Sequence, residues 1–244
     1  MAAPQSKPLS RQIALITGGG SGIGRVFAEG LLAAGIGKVV IASRREPTLL
    51  ATADALNRQF GGSRAIPCSF DIRDRQSTEA LVEKIHRDLG AVDILVNNAG
   101  LAVPESIGNV TEAGWDQVLE TNLRGAMWLT QLVLPKMFSA NFGDIVNVSS
   151  QAGKNGYADV PSYCASKFAL LGLAESVRDE IRRRSANIRV FNLCPGLVDV
   201  ESDPNGPAKS GFLHVRNMMA TLLYALSLDR DVDLHDIGMT SRSL

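Results

Sequence analysis

A tyrosine and a lysine four residues apart, Tyr163 and Lys167, stand in the run Ser-Tyr-Cys-Ala-Ser-Lys that opens a helix-like segment. That spacing puts both side chains on one helical face, one turn apart. A free phenol has a pKa of about 10, too high for ready proton exchange near neutrality, and a neighbouring ammonium favours the phenolate. The pair can therefore serve as an acid–base device. Tyr and Lys also meet at this spacing by chance, so the pair gains its meaning from what surrounds it.

Two other signals do that. The run Thr17-Gly18-Gly19-Gly20-Ser21-Gly22-Ile23-Gly24 directly follows an apolar segment, 13–16, and precedes an amphipathic stretch, 25–34. Glycines in a strand–turn–helix context let the backbone turn tightly and let a pyrophosphate approach, while the helix N-terminus offers free N–H groups. A loop of the G-x-x-x-x-G-K-[ST] kind is excluded, because Arg25 and Val26 follow Gly24. The second signal is position. Asn97-Asn98-Ala99-Gly100 closes one apolar strand, and another, 144–148, delivers Ser149 and Ser150. Ligands of open parallel sheets sit at the carboxyl ends of strands, where all of these groups fall.

The end of the second strand speaks to the choice of dinucleotide. NAD-binding folds place an acidic residue there, on the ribose 2′-hydroxyl. Here residues 39–42 run into Ser43-Arg44-Arg45, with no carboxylate before Glu46. A 2′-phosphate would meet a hydroxyl donor in Ser43 and a guanidinium in Arg44. NADP(H) is therefore expected over NAD(H). The bland alternative is that the arginines solvate the start of the next helix, Arg45 more so than Arg44.

With these motifs in place, the chain resembles the short-chain dehydrogenase/reductase family in its compact single-domain branch, from about Gln12 to Thr240. The resemblance implies a doubly wound α/β fold, with a mostly parallel seven-stranded Rossmann sheet and helices on both faces. It also implies an enzyme interconverting a carbonyl and a secondary alcohol by hydride transfer. Tyr163 would move the proton, Lys167 would lower the tyrosine pKa and hold the nicotinamide ribose, and Ser150 would hydrogen-bond the substrate oxygen. Asn122 would anchor a water linking Lys167 to solvent. Ser149, one residue out of register, should point elsewhere. In the cofactor, Gly18, Ser21, Gly22 and Gly24 would form the phosphate turn and Ile23 would lie near the nicotinamide. Asp71 would hold the adenine amino group beside Ile72. Asn98, Ala99 and Gly100 would line the adenosine and ribose side, and Pro195, Gly196 and Val198 would begin the cover over the nicotinamide. One departure stands out: many relatives carry a threonine where this chain has Val200, so Ser202 or the backbone would have to replace its hydrogen bond. The rival reading from another class is a catalytically silent dinucleotide sensor; such relatives usually lose one of Tyr, Lys or Ser, and all are present here. An epimerase or dehydratase is the rival among enzymes, and the short single-domain layout argues against it.

Length and composition agree with that picture. At 244 residues the chain can bury a sizeable core as one domain. Its 25 basic and 25 acidic residues cancel, which points to neither nucleic acid nor a membrane surface as partner. The basic cluster Arg182-Arg183-Arg184 falls in a last helical turn, where cations complement the dipole. Cys68, Cys164 and Cys194 are widely spaced and His86, His214 and His235 isolated, so no metal site is expected and reduced thiols in a cytoplasmic setting are.

The elements that must position these residues alternate as strand and helix. Strands are expected at 13–17, 39–42, 65–70, 94–96, 145–148, 189–193 and 236–239. Helices are expected at 22–34, 47–60, 75–89, 111–140, 162–184 and 213–228. Residues 1–10 read as a flexible tail, 11–244 as a single catalytic domain, and the Pro-, Gly- and Ser-rich stretch 195–211 as a substrate lid. Pocket candidates Leu101, Ala102, Val103, Ala152, Asn155 and Tyr157 are small and uncharged, which favours a neutral substrate. The two long helices carry spare apolar residues, and relatives pair such helices into homodimers and homotetramers.

Overall fold

The computed structural model describes residues 7–201 and 206–242. The apolar, β-branched runs fold as strands buried on both faces, the pattern a parallel sheet between two helical layers requires. The first half runs β1 (Ile13–Thr17), α1 (Gly22–Ala33), β2 (Lys38–Ser43), α2 (Glu46–Phe60), β3 (Ala65–Ser69), α3 (Arg75–Asp88) and β4 (Ile94–Asn97). Next come α4 (Glu112–Leu119), α5 (Gly125–Ala140), β5 (Gly143–Val148), α6 (Pro161–Arg183) and β6 (Ile188–Pro195). The short strands β7 (Val198–Asp199) and β8 (Leu213–His214), helix α7 (Val215–Ser227) and strand β9 (Asp236–Met239) complete the order. Seven parallel strands form one sheet in the order β3-β2-β1-β4-β5-β6-β9, and β7 pairs with β8 in a separate ribbon. Pro67, which cannot donate to a ladder, lies on the edge strand β3, where its missing N–H is tolerated.

Alternate strand residues feed two cores. Ala14, Ile16, Val39 and Ile41 pack under Phe27, Leu31, Leu49 and Met218 of α1, α2 and α7. Leu15, Val40 and Leu95 face Leu81, Leu129, Val133 and Ile181 of α3, α5 and α6. On this second face an in-register row of polar side chains crosses the sheet. Asn97 Nδ2 donates to Asn147 Oδ1 (3.0 Å), Asn147 Nδ2 to Asn192 Oδ1 (3.0 Å), and Asn192 Nδ2 to Asp236 Oδ1 (2.8 Å). At the opposite end of the sheet, buried Asp144 accepts from Arg189 and Arg230, and Arg189 also holds the carbonyls of Leu226 and Leu228 where α7 ends.

Two expectations are corrected and one is refined. The helix expected at 111–140 runs through residues 112–140 and contains a π-helical turn, Glu120–Arg124, between α4 and α5, which carries Asn122. The helix expected at 213–228 begins only at Val215, because Leu213 and His214 pair with β7 and His214 Nδ1 caps the helix by accepting from Arg216 N. Within the stretch expected to be irregular, 195–211, Val198–Asp199 instead form β7, paired with β8 just beyond it. Arg182, Arg183 and Arg184 meet Glu175, Asp179 and Glu180 in exposed ion pairs.

Apolar surface remains on the helical layer of α5 and α6. Trp128, Leu132, Leu173 and Val177 are only half-buried, and Met127 and Phe168 are exposed. Such a band favours self-association. Light scattering on the eluted protein should therefore give at least twice the 26.0 kDa chain mass, and a Phe168→Glu variant should shift toward one chain; a monomeric wild-type mass would refute this.

Candidate active site

The glycine turn sits where β1 hands over to α1. Gly18 and Gly22 adopt φ of 65° and 53°, left-handed values that a side chain disfavours. A Cβ on Gly24 would lie 2.5 Å from Gly18 O, so the turn closes only with glycine there. Buried Thr17 ties this turn to the next motif: its Oγ1 accepts from Asn98 N (3.0 Å) and Ala99 N (2.9 Å), and Asn98 Nδ2 donates back to Thr17 O (2.8 Å).

A cleft of about 600 Å³ runs from this turn past the ends of β2 and β3. Gly18, Ser21, Ile23, Ser43, Arg44, Ile72, Asn98, Ala99 and Gly100 all line it. Gly22 faces open space apart from Val200, and Gly24 is buried beneath the turn. Arg45 also lines the cleft, and its Nη2 lies 3.5 Å from Ser21 Oγ. Asp71 is placed differently from its neighbours. Arg73 Nη2 and Nε grip both carboxylate oxygens (2.7 and 3.1 Å), holding the acid below its ordinary pKa with a smaller contribution from Arg44. Phe70 and Ile72, on either side, face the cleft.

The cleft continues into a second cavity of about 710 Å³, the two sharing Ile23, Asn98, Gly100, Leu101 and Val200. Ser150, Tyr163 and Lys167 converge here, beside Pro195, Gly196 and Val198. The Ser150 hydroxyl hydrogen-bonds the Tyr163 side chain, accepts from Ala152 N (3.1 Å) and donates to Pro195 O (3.4 Å). Lys167 Nζ lies 5.5 Å from the Tyr163 ring centre and donates to Val148 O at 2.8 Å. Asn122, buried in the π turn, clamps Leu101 by accepting from its N–H (2.9 Å) and donating to its carbonyl (2.8 Å), and also donates to Ser166 Oγ. A Cβ on Gly100 would fall 3.3 Å from Asn122 Oδ1 and 3.4 Å from Lys167 Nζ, so glycine there keeps amide and ammonium in reach of one space. Ser149 also lines this cavity, and its Oγ donates to Lys167 O.

Burial governs the charges. It lowers the Lys167 pKa from 10.5 to about 8. It also raises the Tyr163 phenol, against the lowering effect of the Ser150 hydrogen bond. The expectation that the ammonium holds the phenol below its ordinary value is therefore not met in this structure: desolvation outweighs any attraction.

Of the pocket candidates, Leu101, Ala102, Ala152 and Tyr157 line the cavity, whereas Val103 and Asn155 are not among its lining residues. Val200 lines both cavities, and Ser202 lies outside the described residues. Gln151 and Val160 line the cavity without having been anticipated, and Leu197 lines it from within the expected lid. Among the described residues no group of three or more His, Cys, Asp or Glu is placed to hold a metal ion, and no helix is long and apolar enough to cross a membrane.

Residues 12–209 match the family model described as short chain dehydrogenase. The ketoacyl reductase HetN of Nostoc sp. is 37% identical over 78% of this chain and 64% of the relative. Galactitol 2-dehydrogenase of Agrobacterium fabrum is 34% identical over 79% of this chain and 73% of the relative. Among solved structures, a metagenomic short-chain oxidoreductase in complex with NADP superposes with a TM-score of 0.83 at 27% identity, covering 95% of this chain and 97% of the other. A seven-stranded parallel sheet, a glycine turn at the first strand end and a family match over most of its length leave one assignment: the chain belongs to the short-chain dehydrogenase/reductase family of oxidoreductases.

Proposed function

We propose that the protein is an NADP(H)-dependent oxidoreductase that interconverts a carbonyl and a secondary alcohol on a small neutral substrate. The observation that carries this reading is the meeting of Ser150, Tyr163 and Lys167 in a cavity continuous with the glycine-turn cleft. The cleft fits a dinucleotide: glycines that a Cβ would obstruct at one point, the α1 N-terminus facing it, and two guanidiniums beyond. When bound, the nicotinamide supplies or takes up the hydride.

The chain's own residues supply the rest. Tyr163 gives its hydroxyl proton to the substrate oxygen in reduction and recovers it in oxidation. Ser150 orients that hydroxyl and donates to the same oxygen as charge develops. Lys167, its pKa lowered by burial to about 8, stands beside the phenol as the group through which its proton is replaced. Asn122 fixes the Leu101 backbone, and with it one wall of the cavity. Pro195, Gly196, Leu197, Val198 and Val200 cover the cavity from one side and help to exclude water. Lys167 is the one charged side chain among the described residues lining the cavity, which favours an uncharged substrate. The two relatives differ in the substrates their names state, so a substrate is not carried over from either.

Ser43, Arg44 and Arg45 together favour a 2′-phosphate. Following reduced-nicotinamide absorbance across a ketone panel, kcat/KM should be at least about tenfold higher with NADPH than with NADH, the worth of one charge-assisted contact. Ser43→Asp combined with Arg44→Ala should reverse that preference. Equal use of both cofactors by the unaltered enzyme would overturn the cofactor assignment.

A further inference from the structure

The segment that follows β4 reaches the substrate cavity through Leu101 and Ala102, and the segment that precedes α6 reaches it through Tyr157 and Val160. Among the described residues one backbone hydrogen bond joins the two segments, from Glu105 N to Asp159 O at 2.9 Å. Both of its ends are specially held. Asp159 has a φ of 61°, a left-handed value that disfavours a side chain and persists only where the surroundings enforce it. On the other side, the Glu105 carboxylate straps its own segment to the start of α4: Oε1 accepts from Thr111 Oγ1 (2.8 Å) and Oε2 from Thr111 N (3.3 Å). Thr111 is the N-cap of that helix, and its Oγ1 accepts from Gly114 N at 3.1 Å. Gly114 leaves room for the strap, since a Cβ there would stand 2.7 Å from Glu105 Oε2 and 2.9 Å from Thr111 Oγ1. Neither Glu105 nor Asp159 is among the residues lining the cavity.

We propose that Glu105 is a positioning residue for the substrate: its carboxylate, held at the start of α4, presents its own backbone amide to Asp159 O and so fixes the spacing of two segments that wall the cavity. This rests on the oxidoreductase reading above and adds to it a residue that sets substrate affinity from outside the cavity. Asn122 already pins Leu101, so Glu105 governs the part of the segment beyond it. The far segment is tied to α6 as well, because Tyr157 N donates to Cys164 Sγ at 3.4 Å. Ser150 stands ahead of the 3₁₀ turn Gln151–Gly153 and Tyr163 lies on α6, so neither hydroxyl is placed through Glu105. Releasing the strap therefore weakens substrate binding and leaves the proton transfer intact.

The test uses the full-length protein with NADPH and two ketones, acetophenone and cyclohexanone. In Glu105→Ala the KM for a ketone should rise about tenfold, the scale of a lost charge-assisted hydrogen bond, while kcat and the Kd for NADPH stay within about twofold. Glu105→Gln keeps one accepting oxygen and should rescue much of the loss, with KM up only about two- to threefold. Gly114→Ala expels the carboxylate without altering it, and alanine suits a helix better than glycine. Its KM should rise as in Glu105→Ala with no fall in melting temperature, and the double variant should show no further rise. A second readout needs no turnover: amide hydrogen exchange over 101–110 and 154–160 should quicken about tenfold in Glu105→Ala, with β4 and β5 unchanged. An unchanged KM in both Glu105→Ala and Gly114→Ala, or kcat and NADPH affinity falling as far as KM rises, overturns the proposal while the oxidoreductase reading stands. Quicker exchange confined to these two segments, in a protein that reduces neither ketone, would sink the oxidoreductase reading and keep the Glu105 clamp. Exchange unchanged in every variant would sink the clamp.

Discussion

Tyr163→Phe should lower kcat by about 10²–10⁴-fold, the range a positioned acid–base group contributes, while the Kd for NADPH stays within about twofold. The change removes one oxygen atom and leaves the ring packed beside Lys167 Nζ. It also leaves the Ser150 hydroxyl its contacts to Ala152 N and Pro195 O. Because the lost group acts only as the proton moves, kcat and kcat/KM should fall together, with little change in KM. Steady-state kinetics with a nucleotide fluorescence titration separates the two effects. A variant that turns over at near the native rate would remove Tyr163 from the mechanism.

A change at Lys167 should do something less usual: destroy activity and raise stability together. The ammonium is almost wholly buried, and its pKa falls from 10.5 to about 8 because the charged form loses its hydration. A folded pKa below the unfolded one means that the unfolded chain binds more protons between those two values. Stability conferred by neutral Lys167 therefore rises with pH across that window, and the full cost of burying the charge is felt below about pH 8. One pKa unit is worth about 1.4 kcal/mol, so the cost is roughly 3 kcal/mol. Lys167→Met removes it, and also removes the hydrogen bond to Val148 O, worth about 1 kcal/mol. At pH 7 the variant should melt roughly 2–8 °C above the wild type, and the gap should narrow as pH approaches 10. Turnover should be lost and nucleotide affinity reduced. A variant less stable at pH 7 than its parent would show that the lysine is not held at a cost.

Much of this site is legible in residue order, because strand ends of a parallel sheet collect ligands and the relevant side chains lie one residue beyond apolar runs. Gly18, Asn98 and Ser150 are found that way, and Tyr163 and Lys167 by their one-turn spacing on α6. Other features leave no such trace. The π turn at Glu120–Arg124 keeps the apolar pattern of a continuous helix, and only its backbone bonding changes. Two-residue strands such as Val198–Asp199 and Leu213–His214 are too short for any alternation. The reach of Arg45 to Ser21 and the capture of Asp71 by Arg73 depend on side-chain rotamers. The phenol's upward shift depends on burial, which spacing does not report.

The row Asn97–Asn147–Asn192–Asp236 bears on how the chain finds this arrangement. Every neighbouring pair in the sheet is parallel, so each must be joined across a long connection, a topology that folds slowly. Strands of nearly uniform Val, Ile and Leu tolerate a slip of two residues, since apolar groups would still meet apolar groups. An amide at one height on each of three adjacent strands removes that tolerance. A displaced pairing would bury further unpaired amides at about 1–3 kcal/mol each, whereas the native alignment pairs both ends of Asn147 and Asn192 and leaves Asn97 Oδ1 without a partner. Polar groups in the core thus act as alignment marks during assembly, and Ser150 and Pro195, a few residues further on, inherit the accuracy of that alignment.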